Sequence, residues 1–176
     1  MKYIFVLIAV FATLACSKKD DAPRWHWGTV TAEKNGALWE GEIYAGQNRP
    51  YGQGIDILID RFNEKKFHRE GIFILKIPQM QRRYPLVNTD AREIDSLVGA
   101  VYHTSLDDGD VAGDSYVLLS ADSTENYVEI TEIKGKELYG RFQMSFIKDL
   151  SFGEQDPSAP DTVIFKNGIF HTRLID

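Results

Sequence analysis

Asn35-Gly36 joins two strand-like runs, 27–33 and 37–44. Asparagine and glycine take left-handed backbone conformations most readily, and a two-residue hairpin turn needs two of them in succession. The pair therefore predicts two antiparallel strands, and the rest of the chain repeats the pattern. Ile55, Ile57 and Ile59 alternate with Asp56, Leu58 and Asp60, the period of a half-buried strand. Residues 71–77 are apolar on both phases, as in a strand covered on both faces, until Pro78 withdraws a ladder donor. Leu138, Gly140, Phe142, Met144 and Phe146 share one face of the run 138–147, and Tyr139, Arg141, Gln143 and Ser145 share the other, because side chains alternate along a strand. Further short runs occupy 84–86, 98–105, 114–121 and 125–133. The last two, 162–165 and 169–174, flank Asn167-Gly168, which reads as a second hairpin. Asp90 to Leu97, capped by Thr89 or Asp90, is the one helical candidate.

Nine or ten short strands with scarcely a helix predict an all-β antiparallel meander, either a calycin-like barrel or a two-sheet sandwich. Gly-x-Phe recurs as Gly71-Ile72-Phe73, Gly140-Arg141-Phe142 and Gly168-Ile169-Phe170. Glycine allows close backbone approach and the phenylalanine two residues on shares its face, so Phe73, Phe142 and Phe170 are all expected to point inward. Large residues at so many inward positions fill a small barrel. The expectation is a packed interior, with recognition through the loops 46–54, 107–113 and 148–160.

The chain opens with Lys2, an apolar stretch of about ten residues and Ala15 just before Cys16, the layout of a secretory signal. The stretch is too short to span a bilayer, which takes about 20 apolar residues. Cys16 is the only cysteine, which leaves lipidation as its expected role. The domain reading is a signal peptide at 1–15, a lipidated N-terminus and flexible tether at 16–24, and a single β domain at 25–176. Without the leader the chain has 161 residues with 19 basic and 26 acidic side chains, a formal charge of −7. Such a balance opposes nucleic-acid binding, which relies on clustered lysine and arginine. The expected partners are the membrane, reached through the lipid on Cys16, and an envelope protein or glycan.

Ala15-Cys16 resembles the end of the lipobox of bacterial lipoproteins, and Lys19-Asp20-Asp21 resembles the Lys-acidic-acidic signal that sends Bacteroidota lipoproteins to the outer face of the outer membrane. Thr31-Ala32-Glu33-Lys34-Asn35-Gly36 followed by Trp39, then Val128 to Thr131, Gly140-Arg141-Phe142 and Asn167-Gly168-Ile169-Phe170, resemble an uncharacterised family of Bacteroidota lipoproteins. That resemblance implies a β-rich domain anchored at the outer membrane and exposed at the cell surface. The family has no assigned activity, so no functional residue carries over.

Few residues offer chemistry. His26, His68, His103 and His171 lie far apart and in no metal-binding spacing. Asp107, Asp108 and Asp110 with Asp114 form a weak calcium candidate that lacks the EF-hand register, and otherwise read as an acidic hairpin tip. No Gly-x-Ser-x-Gly or glycine-rich phosphate loop occurs. Trp25, Trp27 and Trp39, with Tyr44 and Tyr51, crowd the first hairpin, either as core or as an aromatic platform for a ligand. The functional expectation is a non-catalytic binding module without cofactor or metal, taking a partner protein, glycan or small ligand. The alternatives are a structural or assembly accessory of an outer-membrane complex, and a cryptic hydrolase.

Overall fold

The computed structural model describes residues 26–47, 54–88, 97–120 and 125–175. Cys16, Trp25, Tyr51, the tether and all of the helical candidate at 90–97 except Leu97 lie outside the described residues. Ten strands dominate: β1 (Gly28–Lys34), β2 (Ala37–Gln47), β3 (Ile55–Phe62), β4 (His68–Ile77), β5 (Arg83–Pro85), β6 (Gly99–Leu106), β7 (Val111–Leu118), β8 (Tyr127–Lys134), β9 (Glu137–Lys148) and β10 (Thr162–Ile175). A 3-10 turn spans Leu150–Phe152. The all-β expectation holds.

All ten strands belong to one sheet. Going round it, β1 pairs with β2, β2 with β3, β3 with β4, β4 with β6, β6 with β7, β7 with β9, β9 with β10 and β10 with β1, which closes a barrel-like ring of eight strands. Beyond the start of β1, the end of β10 moves directly onto β2 in a short parallel pairing. The wall forks at β9, whose first half pairs with β8 while its last residues pair with β7. β5 lies on the far edge of β8. Two asparagines stitch the fork: Asn88 accepts from the Leu118 N–H (2.8 Å) and donates to the Leu118 carbonyl (3.0 Å), and buried Asn126 accepts from the Ser145 N–H at 2.7 Å. Each side chain takes the place of a missing neighbouring strand and satisfies backbone groups that would otherwise be orphaned.

The interior is packed. Trp39, Tyr102, Tyr116, Phe142, Phe146, Phe165 and Phe170 are all buried, with Trp39 edge-on to Phe165 at 5.1 Å and Tyr102 against Tyr116 at 5.0 Å. Each such side chain contributes about 1.5–3 kcal/mol by leaving water. The predicted inward face of β9 is buried throughout.

Two expectations are corrected. Asn167-Gly168 is not a hairpin: β10 runs through it, and the register against β9 shifts between Phe165 and Gly168. Asn167 has the positive φ of 53° that a bulge tolerates. A second chain partner, β1, continues alongside, so the strand has no reason to reverse. Asn35-Gly36, with φ of 50° and 82°, is the turn expected. The second correction is Phe73, which lies on the outer face, half-buried and stacked at 5.1 Å on His103, because Ile72 and Ile74 take the inward phase. The other two Gly-x-Phe units are reciprocal. Gly140 lies opposite Phe170 and Gly168 opposite Phe142, and a Cβ on either glycine would run into the facing phenyl ring.

Inside the ring, near the end that carries the β1–β2, β3–β4, β6–β7 and β9–β10 connections, the Glu70 carboxylate accepts from Lys34 Nζ (2.8 Å), Trp39 Nε1 (3.0 Å), Tyr102 OH (3.2 Å) and Arg61 (3.0 Å). Burial pushes this carboxyl up, but Lys34 and Arg61, with the Lys34 and Trp39 hydrogen bonds, outweigh it and hold it below the ordinary range. At the same end of the ring, where β9 gives way to the β9–β10 connection, the buried Lys148 ammonium reaches Glu154 (2.8 Å), Asp114 (3.3 Å) and the carbonyls of Asp156 (3.1 Å) and Ala159 (3.2 Å). That contact set fastens the 149–161 segment over the barrel end.

Candidate functional site

The aromatic residues singled out in the sequence separate. Trp39 belongs to the core, its ring on Phe165 and its indole N–H spent on Glu70. Tyr44 is half-buried on the outside of β2. Trp27, just before β1, is half-buried on the outer face, its carbonyl held by buried Thr172 at 2.9 Å. No platform joins Trp39 to Trp27.

Trp27 instead belongs to an outer row that sequence spacing did not indicate. Arg173 lies over the Trp27 ring at 5.0 Å. Trp27 meets His171 edge-on at 5.1 Å, His171 stacks flat on Tyr139 at 4.1 Å, and Lys134 covers the far side of Tyr139 at 5.3 Å. Glu137 joins the pair, accepting from Tyr139 OH at 2.8 Å and meeting His171 Nε2 at 2.9 Å. Both hydrogen bonds hold its carboxyl below the ordinary range, and the one between Tyr139 and Glu137, with burial, pushes the Tyr139 phenol up. The register explains the row, since His171 lies opposite both Tyr139 on β9 and Thr29 on β1, and residues directly opposite share a face.

This row borders a cleft of about 490 Å³ on the outside of β1, β10, β9 and β8, lined by Thr29, Thr31, Thr131, Arg141, Ile169 and Tyr139 among others. Ladder shifts at Thr31/Glu33 in β1 and Ile130/Glu132 in β8 flank it, and such bulges bend a strand and re-aim its side chains. Gly140 lines the floor with its backbone, its missing Cβ leaving room for the Phe170 ring beneath. The wall combines threonine hydroxyls, the Arg141 guanidinium, the Glu132 carboxylate and exposed Ile169, and its Tyr139–His171 side is held by Glu137.

The histidines are not scattered. Three of the four converge on the opposite outer face, across β3, β4 and β6. Asp60 receives His26 Nε2 on one oxygen at 2.7 Å and His68 Nε2 on the other at 3.2 Å, and His68 Nδ1 meets Ser105 Oγ at 2.7 Å. His103 stacks on His68 at 5.3 Å, and Phe62 stands edge-on to both His26 and His68 at 5.7 Å. The one sequence signal was phase: Asp60, His103 and Ser105 all fall on outward positions of their strands.

The acidic tip comes apart as a calcium candidate. Asp107, Asp108 and Asp110 are exposed in the β6–β7 turn, whereas Asp114 is buried and faces Lys148 and the Gln155 N–H. A lysine occupies the place a cation would take. Among the described residues no group of three or more histidine, cysteine or acidic side chains has metal-holding geometry. Of the loops expected to recognise a partner, 149–161 is fastened to Lys148 and most of 46–54 lies outside the described residues. No protein-family model, curated protein or solved structure matches the chain.

Proposed function

We propose that this chain is an outer-membrane lipoprotein of Bacteroidota type, anchored through Cys16, that binds a glycan in the cleft between β1, β10, β9 and β8. The observation carrying the reading is that cleft, whose Thr29, Thr31, Thr131 and Arg141 offer hydrogen bonds beside exposed Ile169, backed by the interlocked Tyr139, His171 and Glu137. Its volume of about 490 Å³ falls within the range of about 300–1,000 Å³ usual for ligand sites. The Tyr139–His171 side, fixed before binding by Glu137, spends little entropy on ordering. The packed interior leaves the outside as the place for recognition, and the acidic balance of the chain disfavours nucleic acid. Printed glycans probed with the full chain and with Arg141→Ala and Ile169→Ser variants test the reading. Binding that both variants weaken about tenfold or more, some 1.4 kcal/mol, supports it; no glycan bound, or equal binding by the variants, refutes it.

A further inference from the structure

We infer that Ser105, His68 and Asp60 form a hydrolytic centre on the outer face of β3, β4 and β6, acting on short acyl esters of neutral or cationic alcohols. The geometry is that of a nucleophile, a base and an orienting carboxylate in series: Ser105 Oγ to His68 Nδ1 at 2.7 Å and His68 Nε2 to Asp60 at 3.2 Å. With the His68 proton on Nε2, donated to Asp60, Nδ1 carries the lone pair that accepts the serine proton. Asp60 is itself held from its other oxygen by His26 at 2.7 Å.

Plain strand pairing does not produce this arrangement. His68 and Glu70 are two residues apart in β4 and would share a face, but a ladder shift against Arg61 and Phe62 sends Glu70 inward and His68 outward. A second shift, between β6 and β7 beside His103 and Ser105, lies next to the serine. Bulges that re-aim side chains gather beside active sites. His103 stacked on one side and Phe62 edge-on at the other fix the His68 ring. Burial, with His68 beside it, lowers the His103 imidazole's proton affinity, which keeps a cation away from the base. Gly71 makes room for His103, since a Cβ there would collide with the imidazole. The His68 and Asp60 side chains remain 21% and 16% exposed and Ser105 is half-buried, so a small substrate reaches them. Exposed Asp107, Asp108 and Asp110, which follow Ser105 in the chain, repel anionic esters and give the stated preference.

In the reaction Ser105 Oγ bonds to the ester carbonyl carbon and its proton passes to His68 Nδ1, while the carbonyl π pair moves to oxygen. Collapse breaks the bond to the alcohol, which leaves with the His68 proton. Water then attacks the acyl-serine in the same way, releasing the carboxylic acid and restoring Ser105. This activity is independent of the glycan cleft and gives named residues to the cryptic-hydrolase alternative.

The test treats the full chain in detergent with a fluorophosphonate probe and with p-nitrophenyl acetate, locating adducts by peptide mass spectrometry. The expected result is an adduct on Ser105, ester turnover lost in Ser105→Ala, and acylation slowed about 100-fold or more in His68→Gln, the scale of general-base catalysis. Asp60→Asn is expected to slow it by a similar factor. Melting temperatures establish that each variant is folded, and the adduct map on the parent decides the matter if one is not. A folded parent without an adduct on Ser105, or Ser105→Ala turning over ester at the parental rate, overturns the proposal.

Discussion

Replacing Glu70 by glutamine tests the account of the barrel interior at its most charged point. The amide keeps the shape and one acceptor oxygen, so Trp39 and Tyr102 retain a partner. Lys34 shares that oxygen with them and keeps only a neutral acceptor, while the NH2 group faces Arg61, donor against donor, where a charge-assisted bond of 3.0 Å stood. Loss of a hydrogen bond to a charged group costs about 1.5–3 kcal/mol, and stranding a fully buried partner costs about 3–5 kcal/mol. The Lys34 and Arg61 side chains are 21% and 47% exposed, so both reach water and the lower range applies. The expected loss is about 2–3 kcal/mol, which for a domain of this size lowers Tm by about 5–10 °C. Circular dichroism melts measure it, and urea titration followed by tryptophan fluorescence checks it, since Trp39 reports from inside the network. The pH dependence has a fixed sign. Glu70 is held below the ordinary carboxyl value of 4.5 in the folded chain, so its stabilisation is full above the unfolded value and disappears as pH falls through the folded one. The gap between parent and variant is therefore constant near neutrality and shrinks below pH 4.5. A Tm within about 1 °C of the parent at pH 7, well under the shift expected of a lost buried charge, or a gap that widens in acid, refutes the reasoning.

Gly36→Val forces a β-branched residue to a φ of 82° and is expected to lose about 1–3 kcal/mol by backbone strain. Gly168→Ala loses a similar amount for a different reason, since its Cβ meets the Phe142 ring at 2.6 Å, an overpacking worth about 1–3 kcal/mol. Phe142→Leu restores part of the loss in Gly168→Ala and none in Gly36→Val, as double-mutant cycles by denaturant titration will show. Asn126→Ala frees the buried Ser145 N–H at the β9 fork, a loss of about 1–3 kcal/mol, read as faster hydrogen exchange at Ser145 than in the β1–β2 hairpin. Cys16→Ser is expected to abolish incorporation of an alkyne fatty acid, and undiminished labelling would show that the anchor lies elsewhere.

What the sequence made legible was local. The alternation in β9 and the turn at Asn35-Gly36 follow from backbone conformation and side-chain period alone, and both hold. The same dipeptide at 167–168 failed because its fate depends on partners far away, β1 on one edge of β10 and β9 on the other. Phe73 failed through a shared motif that ignored Ile72 and Ile74, the residues with the stronger claim to the core. Neither outer site was legible as a site. His171 and Tyr139 meet across one ladder, and Ser105, His68, Asp60 and His26 come from four separate stretches of chain. Only the closing of the sheet and the bulges in it set those side chains against one another.

The central claim is that recognition takes place on the outer face of a packed barrel and not inside it. Two-dimensional amide and indole NMR of the full chain in detergent, titrated with a glycan that binds, tests this most directly. Shift changes gathered at Thr29, Thr31, Thr131, Arg141, Ile169 and His171, with the Trp39 indole unmoved, are the predicted result. Changes centred on Trp39, Tyr102 and Phe165, with the residues of the cleft unaffected, would contradict it.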